Sequence, residues 1–568
     1  MDDAISPLRR VALRALRAEL ISELDLAALA SPRDGFITGQ QIRFTLDQSG
    51  IDSLRIFARA ISLANRCRGD RWWCLALQGY AQFRTGHLLQ ADSAFVLTMQ
   101  QVPDSLKCGW NDVSVLFDGA NVRATDTIHA EKKYKALSCS AREAVNERFW
   151  WMSSPMWSSE GNERRVEHFA RKVALILHSS LTRDETINWR PQDGGDAASQ
   201  MILRYGWPTY MYMTSPKEDN DNKLGFQLRF RRGPEGPYTT FEYSFGRPHV
   251  VPNWNAIEHP LAAVRTDWTL GSDRAWPGVD DVYKIPRWWP TEHMRRTRPI
   301  FEMADPQMAW LRREDRILLG TATDLKSVSI PIQSGFQLTT NDSLSTALVA
   351  STAPTDFRVK RSDVRVKNGR LAMRTAITDA PALLSLEATV NNAAPFDLRT
   401  RFAVTPPRLL SANSNSSKSI SDPILLDEQS VVGSELTMNP DSAMALMAAT
   451  SIIRRGGKIS LYWETYGFSP SDSVATVVHI ERTTNPNPIK RLALMLNIGN
   501  DVNTPVKISW KGLATENGRV VEMNSRVPII AHAITLDAAT LPTGDYWLSV
   551  STATKSSLAI GKTRIRIR

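Results

Sequence analysis

Through the first 145 residues apolar side chains recur at intervals of three and four, the period of helices with one buried face. Leu8, Val11, Leu13, Leu16 and Leu20 trace one such stripe with arginines opposite it, which reads as a packing helix. Glu19, Glu23 and Asp25 weigh against a membrane-surface helix. From Leu54 to Phe117 the pattern becomes helix–turn–helix, with Gly79, Ala91, Phe95 and Pro103 at the relative spacings of a tetratricopeptide repeat. Small residues there let two antiparallel helices approach, the aromatic fills their groove, and the proline ends the pair. Leu75 and Gln82 stand at that pattern's tryptophan and tyrosine positions, so a single degenerate repeat is expected.

Residues 146–306 read as a mixed α/β domain. Val166, Phe169, Ala170, Val173, Leu175, Ile176 and Leu177 make the apolar face of a helix over 163–181, which places Arg164, Arg165, Arg171 and Lys172 outward. Met201–Tyr205 and Leu224–Tyr243 read as strands, the latter with alternation, and a Pro- and Trp-rich stretch from Pro248 to Pro306 reads as an ordered loop held by aromatics.

From residue 307 onward short strands are separated by turn signals, the pattern of antiparallel β-sandwiches. Asn368-Gly369 between Val364/Val366 and Leu371/Met373 predicts a hairpin, since a type I′ turn needs positive φ at both central residues. The polar run at 411–422 predicts a linker between a β-sandwich module at 307–410 and a second, immunoglobulin-like one at 423–568. LPTGDYWLSV resembles the last hairpin of such a module, with Pro542 and Gly544 in the turn and Tyr546, Leu548 and Val550 facing inward. The expected fold is therefore multidomain α+β: a helical, repeat-like region at 1–145, a mixed domain at 146–306 and two C-terminal sandwiches.

The 568 residues are 42% hydrophobic and 23% charged, the balance of a folded chain. The net charge of +10 invites nucleic acid, but arginine is spread along the whole length without a basic block, so nucleic acid is not the expected partner. A basic protein beside anionic polymers or lipid headgroups fits as well. Cys67, Cys74, Cys108 and Cys139 are the four cysteines. Of the three possible pairings, Cys67–Cys74 with Cys108–Cys139 is the simplest. No CxxC pair or nearby histidine cluster suggests zinc, and disulfides would mean an oxidising compartment. Arg9, Arg10, Arg14 and Arg17 break any export-signal run near the start, so the chain is expected to be cytoplasmic or to begin after a removed signal. No stretch has the length and apolarity of a transmembrane helix.

The order of parts between 147 and 209 resembles the GWxTD-domain proteins, a bacterial envelope family. The matching residues are Phe149, Trp150 and Pro155, then Asn162-Glu163, then Trp189, Asp193 and Gly195, then Tyr205, Gly206 and Pro208. Asn188, Gln192 and Gly194 stand where the motif has Gly, Thr and Arg. Three later segments, WLRREDRILLGTATDL, SDPILLD (Ser421 to Asp427) and YWETYGF (Tyr462 to Phe468), also match segments that such proteins carry. The family has no established reaction, so the resemblance implies an envelope protein and assigns no catalytic residue.

Catalytic signatures such as HExxH, GxSxG, a P-loop or GxGxxG do not occur. His168 and His178 are out of alignment on one helix, so no metal pair is expected there; His249, Glu258 and His259 could meet in a site. Asp193, Gly194, Gly195 and Asp196 suit a tight reversal whose carboxylates cap free backbone N–H groups. The doublets Trp72/Trp73, Trp150/Trp151 and Trp288/Trp289 are candidate surfaces, with one ring of each turned outward. Trp288/Trp289 ranks first because prolines stiffen its loop and Arg287, Arg295 and Arg296 could engage acidic groups.

The sequence reading is thus a non-enzymatic periplasmic, secreted or envelope scaffold, needing no cofactor or metal, that binds a protein or cell-wall partner. Its binding residues would be Trp189, Trp207, Trp254, Arg287, Trp288 and Trp289. The alternative is an enzyme acting on polysaccharide or peptide in a cleft between the central domain and the first sandwich, lined by Trp207, Trp254 and Trp288.

Overall fold

The computed structural model describes residues 7–48, 53–117, 124–179, 203, 210–214, 227–230, 239–244, 251–269, 300–325, 338, 342–365, 370–392, 395–411, 418–427, 438–483, 506–522 and 525–568. The chain divides into two compact units, Met1–Ile300 and Phe301–Arg568. The first is mainly helical and the second is built of antiparallel and mixed β-sheets.

Among the described residues nine α-helices open the first unit: α1 (Pro7–Ala30), α2 (Gly35–Leu46), α3 (Ser53–Asn65), α4 (Arg71–Arg84), α5 (Leu88–Gln101), α6 (Asp104–Trp110), α7 (Ala124–Ala136), α8 (Cys139–Ser153) and α9 (Glu163–Ser179). Helix therefore continues well past residue 145. Helix starts are set by side-chain caps: Asp34 accepts from the Phe36 and Ile37 N–H groups, and Ser138 from that of Ala141. Helices α4 and α5 pack closely because Gly79 has no side chain, and a Cβ there would lie 2.7 Å from the Phe95 ring. Ala91 and Phe95 are fully buried in the same core, and Pro103 caps α6 just after α5 ends. Both disulfides form in the sequential pairing, with Cα–Cα distances of 5.6 Å for Cys67–Cys74 and 5.5 Å for Cys108–Cys139. They are compatible with an extracellular location.

The remainder of this unit contributes β1 (Tyr210–Thr214), β2 (Gln227–Phe230) and β3 (Thr239–Ser244), in the antiparallel order β1-β3-β2. A two-stranded pair, β4 (Val251–Pro252) and β5 (Trp268–Thr269), brackets a short helix, Trp254–Glu258. Trp268 Nε1 donates to the Met152 carbonyl and Arg148 Nε donates to that of Ile257, so the segment is tied to α8. Of residues 201–205, expected as a strand, only Leu203 is described, and it is helical.

Among the described residues the second unit holds four sheets. Its strands are β6 (Ile300–Glu302), β7 (Gln307–Arg312), β8 (Ile317–Asp324), β9 (Ser343–Ala353), β10 (Asp356–Arg365), β11 (Arg370–Ile377), β12 (Ala382–Val390) and β13 (Phe396–Val404). They are followed by β14 (Ser419–Ile420), β15 (Ile424–Leu426), β16 (Ile452–Ile453), β17 (Lys458–Tyr466), β18 (Ser473–Arg482), β19 (Val506–Leu513), β20 (Arg519–Val520), β21 (Ile529–Asp537), β22 (Gly544–Ala553) and β23 (Leu558–Ile567). Sheet β10-β9-β12-β13-β6 packs on sheet β11-β8-β7 around Leu319, Leu348, Leu384 and Leu398. Sheet β14-β17-β21-β20, with β15 also on β17, packs on β16-β23-β22-β18-β19 around Leu461, Trp463, Val478 and Leu548.

Among the described residues, the strands that flank Asn368-Gly369 do not pair with each other. Val364 pairs with Leu344 on β9, while Leu371 pairs with Thr323 on β8, so the flanking strands belong to different sheets of the sandwich. The turn dipeptide lies outside the described residues. Each flanking strand finds a longer partner elsewhere, and a local turn signal does not outweigh eight or more ladder positions. Within the polar run 411–422, Ser419 and Ile420 are strand β14, paired with Tyr466 and Thr465. At the last hairpin, Tyr546, Leu548 and Val550 are buried as expected, and the Tyr546 hydroxyl donates to the Pro542 carbonyl at 2.7 Å.

Candidate functional site

Strand β7 serves two cores, and the period-two alternation of its side chains explains how. Trp310 points into the first sandwich, whereas Ala309 and Leu311 belong to an apolar seam shared with Ile424, Leu426, Tyr462 and Ala531 of the second. Strand β17 does the same in reverse, with Ile459, Leu461 and Trp463 facing their own core and Tyr462 facing the seam. Gly320 on β8 admits Met444 and Met447 of the segment that begins with helix Pro440–Ala445; a Cβ there would lie 2.7 Å from the Met447 sulfur.

Polar anchors close both ends of this seam. At one end the Gln307 amide acts as a rung of the ladder: its oxygen accepts from Leu425 N–H, and its nitrogen donates to the carbonyls of Leu425 and Ala448. At the other, just past β7, Arg313 meets Glu464 in a bidentate pair at 2.7 and 3.0 Å. The same carboxylate accepts the Tyr462 hydroxyl at 2.9 Å and the Tyr466 hydroxyl at 3.0 Å. Four donors thus fill its acceptor positions. Ser421 Oγ receives the Glu464 backbone N–H, and a Glu522 carboxylate oxygen lies 2.9 Å from Arg313 Nε.

Burial alone would lower the affinity of Arg313 for its proton, but the hydrogen bonds and charge of Glu464 outweigh it, so the guanidinium is held above its ordinary range. Burial, reinforced by the Glu464 charge, pushes the hydroxyls of Tyr462 and Tyr466 far above theirs. The arrangement holds charge still. It fastens one sandwich to the other.

Beside the seam run two adjoining clefts. The smaller, about 350 Å³, is lined by Asp324, Arg370, Asp427, Arg454 and Lys458. The larger, about 910 Å³, includes Asp305, Gln307, Thr483, Asp545 and Arg566, and both share Asp324, Thr450 and Ile452. Arg370–Asp427 and Arg566–Asp545 are ion pairs within their walls.

In the first unit, α9 departs from the expected amphipathic helix. Arg164 and Arg171 are buried, not outward, together with Glu167 and His168. Glu167 and Arg171 pair at 3.0 Å, one helical turn apart. Arg165 forms a bidentate pair with Asp92. Lys172 Nζ donates to the Gly109, Trp110 and Asp112 carbonyls at the end of α6, and burial lowers its pKa to about 8. The helix is enclosed on its charged side as well as its apolar side, so its arginines serve packing and pairing. His168 lies between Trp150 and Phe169, and burial, with the nearby charges of Lys172, Arg164 and Arg171, pushes its pKa well below the usual range.

Among the residues expected to bind, Trp254 alone lies within the described residues. Its half-buried ring meets Phe117 edge-on at 5.5 Å and carries Lys133 over it at 5.9 Å. Trp189, Trp207, Arg287, Trp288 and Trp289 lie outside the described residues, as do Asp193, Gly194, Gly195, Tyr205, Gly206 and Pro208. His249 does too, and Glu258 pairs with Lys133 at 3.8 Å. The described doublets are packed inward. Trp73 donates to the Gly35 carbonyl, Trp72 lies edge-on to Trp110, and Trp150 and Trp151 are both buried. Consecutive helical positions a hundred degrees apart can both be buried when helices pack on two sides.

No family model matches the chain, and no curated protein matches it. Among solved structures it is similar to red sea bream transglutaminase, at 9% identity and a TM-score of 0.13. That match covers 50% of this chain and 33% of the other, so the chain spans about a third of the transglutaminase's length. It is also similar to the FN1–FN3 domains of chicken CNTN1, at 7% identity and a TM-score of 0.15, over 63% of this chain and 91% of that one.

Among the described residues no helix is long and apolar enough to cross a membrane, and no cluster of His, Cys, Asp or Glu could hold a metal ion. The residues that sequence reasoning did not single out individually are Arg313, Glu464, Tyr462, Tyr466 and Gln307. Four of them lie in segments that the sequence sets apart: WLRRED, SDPILLD and YWETYGF converge in space on one junction.

Proposed function

We propose that the protein is a non-enzymatic interaction scaffold of the GWxTD type, placed in the periplasm, in the envelope or outside the cell. In this reading a tetratricopeptide-like helical region and two immunoglobulin-like sandwiches hold binding surfaces for a protein or cell-wall partner. The observation that carries it is the Arg313–Glu464 junction, in which an apolar seam and a filled carboxylate join the two sandwiches. Fixed spacing between surfaces is what a scaffold requires, because a pre-organised binder loses little freedom on association. The two disulfides suit such a location.

The test is co-sedimentation of the full chain with insoluble envelope material, followed by analysis of the supernatant for released sugars or peptides. A scaffold is retained and releases nothing. Turnover that disappears on changing one carboxylate would make the protein an enzyme and end this reading.

A further inference from the structure

The outward face of sheet β16-β23-β22-β18-β19 is exposed, and its cross-strand registers order its side chains. One row runs Lys562, Ser549, His479, Lys507 across four strands. The next runs Arg564, Trp547, Glu481, and on the other side come Ile560, Ser551, Val477, Ser509 and then Leu558, Ala553, Ala475, Lys511. Lys507, Lys511, Lys562, Arg564 and Arg566 are exposed on this face, against Glu481, Asp545 and, at the edge of β23, Asp422; Asp545 is already paired with Arg566, and the Asp422 carboxylate accepts the Lys562 backbone N–H at 3.1 Å, which leaves the Lys562 ammonium to the face. The two central strands contribute Ser549, Ser551, Ala475, Ala553 and Val477 with the larger His479 and Trp547, so most of the floor between the cations is made of small side chains.

Arg564 is pre-positioned, with its guanidinium 4.8 Å from the centroid of the Trp547 ring. A stacked arginine keeps its N–H edge free for a planar anion while having less rotamer freedom to lose.

We infer that this face binds a linear acidic polysaccharide lying across the strands, its carboxylates at Lys562, Lys507 and Arg564 and its hydroxyls over Ser549 and His479. Lys562 and Lys507 are three strand spacings apart, roughly 14 Å, which suits a chain with repeated anionic groups better than a single small anion. Charge complementarity selects a polyanion. Arg564 already lies on the Trp547 ring, so that ring is not an open platform for stacking a nucleobase, which disfavours single-stranded nucleic acid. The inference rests on the scaffold reading and names one surface and one ligand chemistry for it.

The full disulfide-bonded chain should bind polygalacturonate and not neutral dextran, with affinity falling steeply between about 20 mM and about 200 mM salt as the charges are screened. The double substitution Lys562→Glu with Arg564→Glu should weaken binding at least about tenfold, the equivalent of about 1.4 kcal/mol. It should leave the melting temperature in place, because both side chains are exposed. Arg358→Glu, an exposed change on edge strand β10, should leave binding intact. Absence of binding by the native chain, equal loss in Arg358→Glu, or tighter binding to single-stranded DNA or to anionic lipid vesicles overturns the inference. If the double variant still sediments with envelope material as the native chain does, the scaffold reading stands and this face alone fails.

Discussion

Arg313 and Glu464 are 151 residues apart in the chain, fully buried, and joined by two hydrogen bonds across the seam between the sandwiches. Each sits beside residues that serve its own module. Arg313 follows a strand whose Trp310 fills the first core, and Glu464 follows Trp463 in the second. A buried pair of this kind is a poor source of net stability but a strong determinant of which surfaces meet.

Removing one partner is therefore expected to cost far more than removing both. Arg313→Met leaves Glu464 with two hydroxyls and no countercharge, and should destabilise the second unit by about 3–5 kcal/mol. The double variant Arg313→Met with Glu464→Leu should recover much of that loss. Urea unfolding of the four members of the cycle gives the coupling; additive losses would show that the pair does not act as a unit.

His532 predicts a pH dependence for the same unit. Its ring stacks on Trp463, and burial lowers its pKa to about 4 from an unfolded value of 6.5. The unfolded chain therefore binds the proton more readily than the folded one between those values. The stabilising effect of the neutral ring is present above pH 6.5 and is lost as pH falls toward about 4, for a total of about 3 kcal/mol. Unfolding curves for the native chain and His532→Gln should converge as pH drops through this window; a constant gap would refute the assignment.

The disulfides predict a separate response in the helical unit. Cys108–Cys139 closes a loop of 31 residues, long enough for its removal to cost about 4 kcal/mol through the entropy of the unfolded chain. Cys67–Cys74 closes only seven and should matter less. Thermal melts of Cys108→Ser/Cys139→Ser and Cys67→Ser/Cys74→Ser, followed by helical circular dichroism, should show the larger drop for the first pair.

Much of the architecture was legible because it is written in local periodicity. The α4–α5 hairpin, with Gly79 under Phe95, follows from spacing alone, and so do the strands of both sandwiches and the inward set Tyr546, Leu548 and Val550. What periodicity does not encode is the identity of a partner. Arg164 and Arg171 occupy the polar side of α9, and nothing local says that this side is also enclosed. Asn368-Gly369 states a turn preference, yet its strands pair with β9 and β8. The junction was legible as three segments and illegible as a contact, because the attraction between Arg313 and Glu464 is set by tertiary placement.

Strand β7 gives alternate side chains to two different interiors, and this shapes how the polypeptide can be divided. Nicking the backbone between 412 and 417 should yield two fragments that remain a non-covalent complementation pair. Either fragment produced by itself would present Leu311 or Tyr462 to water and be prone to clumping until it met its other half.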